Sequence, residues 1–274
     1  MCSKRGGNKR NKMFKTLAKI KIILLGLIVS ANVVASDNSI YIDQAGDNST
    51  IYINQYGASN VVRGIQSSGS GNTTPAQIYG DNVTVTVDQI GASNTLNLGL
   101  DMSTASGGVN SSVTYSITGN YNTATINSNN SGGGTSASNI ISVTQVGDSS
   151  TATVTMLGTS NTFTASQTGN YSVLVGNISG SSNTATVTES GGTANSTTIT
   201  QTGDTGTASV TTVGASNTTT ISQSGGSAGH QATVNITGSS NTTSVTQSGT
   251  SADSVVNITG SGSGNTFTII SNTR

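Results

Sequence analysis

Residues 183–203 read NTATVTESGGTANSTTITQTG and hold one unit twice: an Asn, alternating small and β-branched residues, Glu or Gln six places on, then a Gly turn. Side chains of an extended strand alternate between its two faces. In the unit at Asn195, the residues Asn195, Thr197, Ile199 and Gln201 therefore point one way and Ser196, Thr198 and Thr200 the other. The first set carries the apolar side chain with an amide at each end; the second is all hydroxyl. An even offset keeps Asn and Gln on the same face, so the pattern separates an inner surface from an outer one. The strict pair occurs at Asn38/Gln44, Asn60/Gln66, Asn139/Gln145, Asn161/Gln167, Asn195/Gln201, Asn217/Gln223 and Asn241/Gln247. Relaxed forms are Ser49/Gln55, Asn122/Ser128, Asn183/Glu189 and Asn265/Ser271.

The spacing predicts how such strands are arranged. Gln145, Met156, Gln167, Ile178 and Glu189 close successive strands, and turns such as GDSS, GTSN, GNYS and GASN follow them. Gly and Asn tolerate positive φ, which suits tight reversals. Two strands and two turns make a coil of about 22 residues, and a short period of this kind is the signature of a stacked solenoid. The fold class is therefore all-β: a β-solenoid of strand–turn–strand coils, cross-β on assembly. Amide-closed and Ile- or Met-closed strands alternate until Glu189 and Gln201, where two amide-type strands follow one another. Either the amide column changes face there, or one strand is skipped.

Composition agrees. With no Trp, 4% aromatic and 7% charged residues, the chain lacks the large side chains of a conventional core, and a thin core held by backbone ladders is the ordered alternative to disorder. The formal net charge of zero conceals an asymmetry. Eight of the ten basic residues lie between Lys4 and Lys21, ahead of the apolar run from Ile22 to Val29 and the small residues near Ala35. Residues 1–35 read as a secretory signal peptide. The apolar run is short for a membrane span, and Met13 serves as well as Met1 for a start. Beyond the leader, Arg63 and Arg274 stand against all ten acids, a balance of 2 − 10 = −8. A nucleic-acid partner is not expected, since phosphate neutralisation needs basic residues. Residues 36–100 form irregular N-terminal repeats. Residues 101–138 are a Gly/Ser/Asn-rich loop or joint with two weak strands, Ser112 to Thr118 and Asn122 to Asn127. Residues 139–274 form the regular repeats.

Stacked coils put Gln over Gln and Asn over Asn at roughly 4.8 Å, so a buried amide finds a partner only in the neighbouring coil. The expected ladder comprises Asn38, Gln44, Gln55, Asn60, Gln66, Asn139, Gln145, Asn161, Gln167, Asn183, Glu189, Asn195, Gln201, Asn217, Gln223, Asn241 and Gln247. Enzyme chemistry is not expected. His230, the sole His, occupies a slot filled elsewhere by Asn. Glu189 replaces a ladder Gln and, if buried, favours its neutral form. Cys2 leaves with the leader. Asp47, Asp81, Asp148 and Asp204 follow turn glycines as solvated residues and lack a calcium ligand set. No metal or cofactor is expected.

Signal peptide, Asn/Ser-x5-Gln, Gly-x-x-Asn turn and the 22-residue period together resemble curlin, the subunit of bacterial curli amyloid fibres; SIYIDQAGDNSTIYINQYGASN is the closest stretch. Curlin's Ser, Asn and Gln ladder positions carry over to Asn139, Gln145, Asn161, Gln167, Asn195, Gln201, Asn217, Gln223, Asn241 and Gln247. The resemblance implies a subunit exported through an outer-membrane secretion pore, joined by a nucleator, that polymerises with itself into cell-surface fibres for adhesion and biofilm matrix. The Ile-closed strands lack the family Gln and leave major subunit and nucleator both open. Two other uses fit the same stack. Outward rows such as Thr184/Thr186/Thr188 resemble ice-binding β-solenoids, and a passive adhesin or fibre stalk needs only rigidity.

Overall fold

A computed structural model describes residues 28–33, 43–45, 50–62, 77–79, 83–99, 112–129, 138–225, 229–249 and 254–273. The strands of the first half are β1 (Ile28–Val33), β2 (Asp43–Ala45), β3 (Thr50–Gln55), β4 (Val61–Val62), β5 (Gln77–Tyr79), β6 (Thr84–Ile90), β7 (Thr95–Leu98), β8 (Ser112–Thr118), β9 (Thr123–Asn129) and β10 (Ile140–Val146). Those of the second half are β11 (Thr151–Thr159), β12 (Thr162–Thr168), β13 (Val173–Ser181), β14 (Thr184–Ser190), β15 (Ser196–Thr202), β16 (Thr207–Val213), β17 (Thr218–Ser224), β18 (Gln231–Thr237), β19 (Thr242–Gly249), β20 (Val255–Ser261) and β21 (Thr266–Thr273).

They form a β-solenoid of parallel stacked coils. The first sheet has the order β1-β3-β6-β8-β10-β12-β14-β16-β18-β20, and the second β21-β19-β17-β15-β13-β11-β9-β7-β4. Register follows the repeat: Ile199 lies beside Ile221, and Ile221 beside Val245. One coil advances the chain by 34 residues at Gln55 and Gln89, by 28 at Asn94 and Asn122, and by 22 to 24 from Gln145 onward. The expected period of about 22 thus describes the step from β1 to β3 and the C-terminal part, and the coils between β3 and β10 are longer.

The extra length is confined to one corner. From first sheet to second, each turn takes four or five residues, as between Ile90 and Thr95 or Ser190 and Ser196. On the return the connection ranges from two residues, between Thr159 and Thr162, to the 21 between Val62 and Thr84 that include β5. At both corners turn glycines stack backbone on backbone. Gly119 has φ 135°, and a Cβ there would meet Gly147 O at 1.9 Å.

Between the sheets, inward side chains alternate with outward ones, as in the burial of β15 and β17. The core is one line of Ile, Val, Leu and Ala, completed by Tyr115, Phe163 and Met156. Large residues are offset by small ones: at Gly176 of β13 a Cβ would lie 2.3 Å from the Phe163 ring, and at Gly260 2.8 Å from that of Phe267. At the C-terminal end no coil covers Phe267 and Ile269, which remain partly buried.

The two strands expected within 101–138 are β8 and β9, which sit in the main sheets as full rungs. The glycine-rich pieces around them lie outside the described residues, as do most of residues 1–35 and Pro75. Ile28 to Val33, assigned to the leader, pair as β1 with β3, Val33 opposite Gln55.

Candidate functional site: the buried amide ladder

The inward Asn and Gln side chains form columns of hydrogen bonds along the stack. Gln145 Nε2 donates to Gln167 Oε1 at 3.0 Å, and Gln167 Nε2 to Glu189 Oε2 at 3.2 Å. Below them Tyr115 donates its hydroxyl to Gln145 Oε1 at 2.9 Å. Burial pushes that hydroxyl's pKa well up, so it remains a donor. Lower still, Gln89 Nε2 donates to Gln55 Oε1 at 2.6 Å. All these groups belong to the first sheet.

After Glu189 the column changes sheets. Gln201, Gln223 and Gln247 belong to β15, β17 and β19 and stand in register in the second sheet. Gln201 Nε2 donates to Gln223 Oε1, and Gln223 Nε2 to Gln247 Oε1, each at 2.8 Å. The same nitrogens reach across to the start of the facing strand: Gln223 to Thr207 O at 2.9 Å and Gln247 to Gln231 O at 2.8 Å. Gln247 also bonds Ser254 O. At the crossing, Thr197 donates its hydroxyl to Glu189 Oε1 at 2.5 Å and so links the old column to the new. This settles the choice the sequence left open: no strand is skipped, and the amide column moves to the other sheet.

Asn has a separate job. Asn161 N–H donates to Asn139 Oδ1 at 3.0 Å and Asn183 N–H to Asn161 Oδ1 at 2.9 Å. Their Nδ2 groups donate to turn glycines one coil on, Asn161 to Gly180 O and Asn183 to Gly203 O. Each Asn thereby ties a strand start to a neighbouring turn. In the second sheet this column includes Asn60, Asn94 and Asn122, then Ser150 and Ser172, then Asn195, Asn217, Asn241 and Asn265.

Glu189 is wholly buried. Burial raises its pKa, opposed by the hydrogen bonds from Thr197 and Gln167. His230 fills the Asn slot of β18 and is 2% exposed; neither of its ring nitrogens has a hydrogen-bond partner. Among the described residues no group of three or more His, Cys, Asp or Glu is placed to hold a metal.

Of the expected ladder residues, Gln55, Asn60, Asn139, Gln145, Asn161, Gln167, Asn183, Glu189, Asn195, Gln201, Asn217, Gln223, Asn241 and Gln247 are buried in the stack. Asn38 and Gln66 lie outside the described residues. Gln44 lies in β2 opposite Ile78 of β5, in a two-stranded sheet apart from the two main ones. Sequence reasoning missed Gln89 and Asn94. Val83 stands six places before Gln89, so the Asn-x5-Gln rule overlooks it, although the QIGASN turn that follows is the usual one.

Further bonds, at the turns of both corners, also went unread; Asp204 is exposed, as expected of a solvated turn acid, and Asp148 is half-buried. Asn120 N–H donates to Asp148 Oδ1 at 2.7 Å, Asp148 N–H to Asn170 Oδ1 at 2.8 Å, and Ser181 N–H to Asp204 Oδ1 at 2.7 Å. The Asx after a turn glycine thus accepts the backbone N–H of the coil beside it. Asp47 and Asp81 lie outside the described residues.

Residues 192–225 match the curlin associated repeat. The match spans β15, β16 and β17, beginning where the amide column enters the second sheet, and supports the resemblance to curlin drawn from the sequence. No curated protein matches the chain in sequence.

Proposed function

We propose that this chain is an exported structural subunit, not an enzyme, which polymerises with its own copies into extracellular curli-like amyloid fibres serving adhesion and the biofilm matrix. The observation that carries this reading is the ladder, whose amides find their partners in the coil above or below. Both sheets also end in open strands at the C-terminal end, where β20 and β21 have a neighbour on one side only, and Phe267 and Ile269 are incompletely covered. Unpaired N–H and C=O groups beside apolar side chains template addition of another strand. Export through an outer-membrane pore and initiation by a nucleator subunit belong to the same proposal.

The test is fibre growth. The exported protein at micromolar concentration without denaturant is expected to form thioflavin-positive fibres with a cross-β diffraction pattern. A persistent monomer would overturn the reading. A monomer that also halted ice growth would transfer it to the outward threonine rows, where Thr162, Thr184 and Thr207 lie in register.

A further inference from the structure

The two ends of the stack differ in shape. At the C-terminal end β20 and β21 are the last strands of their sheets and belong to one coil, so that end is level. At the N-terminal end the first sheet runs one strand further than the second. It has β1 beyond β3, whereas among the described residues no strand stands beyond β4, which shares a coil with β3. The end is therefore stepped by one strand spacing, about 4.8 Å. The strand that makes the step, Ile28–Val33, falls within residues 1–35, read as a leader.

β1 closes the backbone edge of β3 without continuing its ladder. The pairing runs from Ile28 opposite Thr50 to Val33 opposite Gln55. Gln55 is wholly buried, and its Nε2 has no hydrogen-bond partner. Valine, in register beside it, has no side-chain acceptor to offer. A buried donor left unpaired is costly, which makes β1 a replaceable neighbour.

The apolar columns of the two ends match better. In the first sheet the column that starts at Ile51 ends at Val256, and the one that starts at Ile53 ends at Ile258. In the second sheet the column from Val62 ends at Phe267. Val256 and Ile258 are 7% and 5% exposed, against 2% or less for the rest of their columns, and Phe267 is only partly buried. These side chains lack one further coil. A second copy of the chain supplies it, with its β3 beside β20 and its β4 beside β21, and every column then runs on in the same direction.

We infer that β1 is a stopper: until the leader is removed, it occupies the surface on β3 that the C-terminal coil of a second copy takes. With β1 in place, an incoming β20 rests on β1 while β21 stands one strand spacing short of β4, so the two sheets cannot both be joined. Loss of β1 levels the end, uncovers Ile51 and Ile53, and leaves the edge of β3 to pair with a new strand. The chain is thereby kept from joining its copies before export. This role rests on the fibre reading.

The test compares the full chain, the chain from Ser36 onward, and the full chain carrying Ser30→Pro with Asn32→Pro. Thr50 N–H donates to Val83 O and Tyr56 N–H to Gln89 O, both toward the C-terminal side. The two-residue period gives Ser30 and Asn32, in register with Tyr52 and Asn54, N–H groups that point toward β3, and proline removes them. Elongation from preformed seeds is expected to be on the order of tenfold slower for the full chain than for the chain from Ser36, and the proline variant should regain most of the rate. In the monomers, amide exchange at Ile51, Ile53 and Gln55 should be slowed by a similar factor, on the order of tenfold, in the full chain alone. Equal elongation of the full chain and the chain from Ser36 overturns the inference, as does a proline variant that stays slow, or equal exchange at β3 in all three. If the chain from Ser36 fails to elongate at all, the fibre reading falls and the stopper falls with it.

Discussion

The ladder before Glu189 and the ladder after Asn195 are built from the same motif on opposite sheets, and they are not equally tied in. In the first, Gln145 and Gln167 donate only along their column. In the second, Gln201 and Gln223 donate along the column and also across to Thr184 O and Thr207 O, and Gln247, which accepts from Gln223, donates across to Gln231 O. One slot facing the second ladder is a glycine. It is Gly206, where a Cβ would lie 3.0 Å from Asn183 Oδ1 and 3.2 Å from both Gln201 Nε2 and Gln223 Oε1. An amide column is not the property of one sheet. It needs continuity over a few coils.

The largest expected effect breaks the better-connected ladder. Gln201→Ala with Gln223→Ala leaves buried groups unpaired at about 1–3 kcal/mol each, so the thermal midpoint should drop sharply and fibre growth should slow. Gln145→Ala with Gln167→Ala should cost less, because no bond across the coil is lost, and an equal or larger drop in midpoint would erase the distinction drawn here. Next comes Gly176→Ala, which forces a methyl group against Phe163. Overpacking of this kind costs about 1–3 kcal/mol, and Phe163→Leu in the same chain should restore much of it on denaturant titration.

Glu189→Gln probes the crossing itself. The folded pKa of Glu189 lies above its ordinary value because it is buried. A carboxyl raised in the folded state contributes stability that is complete below the unfolded pKa and is lost as pH rises toward the folded one. The wild type should therefore lose stability relative to Glu189→Gln on passing from mild acid to neutral pH, and parallel pH profiles would dispose of the effect. The smallest change is Thr198→Ala with Thr220→Ala on the outer face, within about 0.5 kcal/mol per site. If it matched the Gln201 and Gln223 pair, the inner and outer faces would be wrongly assigned.

The alternation of Ile199 and Gln201 with Thr198 and Thr200 made both faces legible from sequence, because a two-residue period has only one reading in a half-buried strand. Which sheet each strand joins was harder to read. The phase slip at Glu189 and Gln201 was visible, but only the bond from Thr197 and the space at Gly206 show how a column can move across. The hydrogen bonds of the turn acids were not legible. Asp148 and Asp204 accept from N–H groups 28 and 23 residues away, and local spacing does not report them.

The confinement of every long connection to one corner gives the rod a plain edge and a permissive edge. Peptides spliced between Val62 and Thr84 or between Leu98 and Ser112 would hang from the permissive side at each subunit, like labels on a single margin of a ribbon, while every turn of the opposite margin is held to four or five residues.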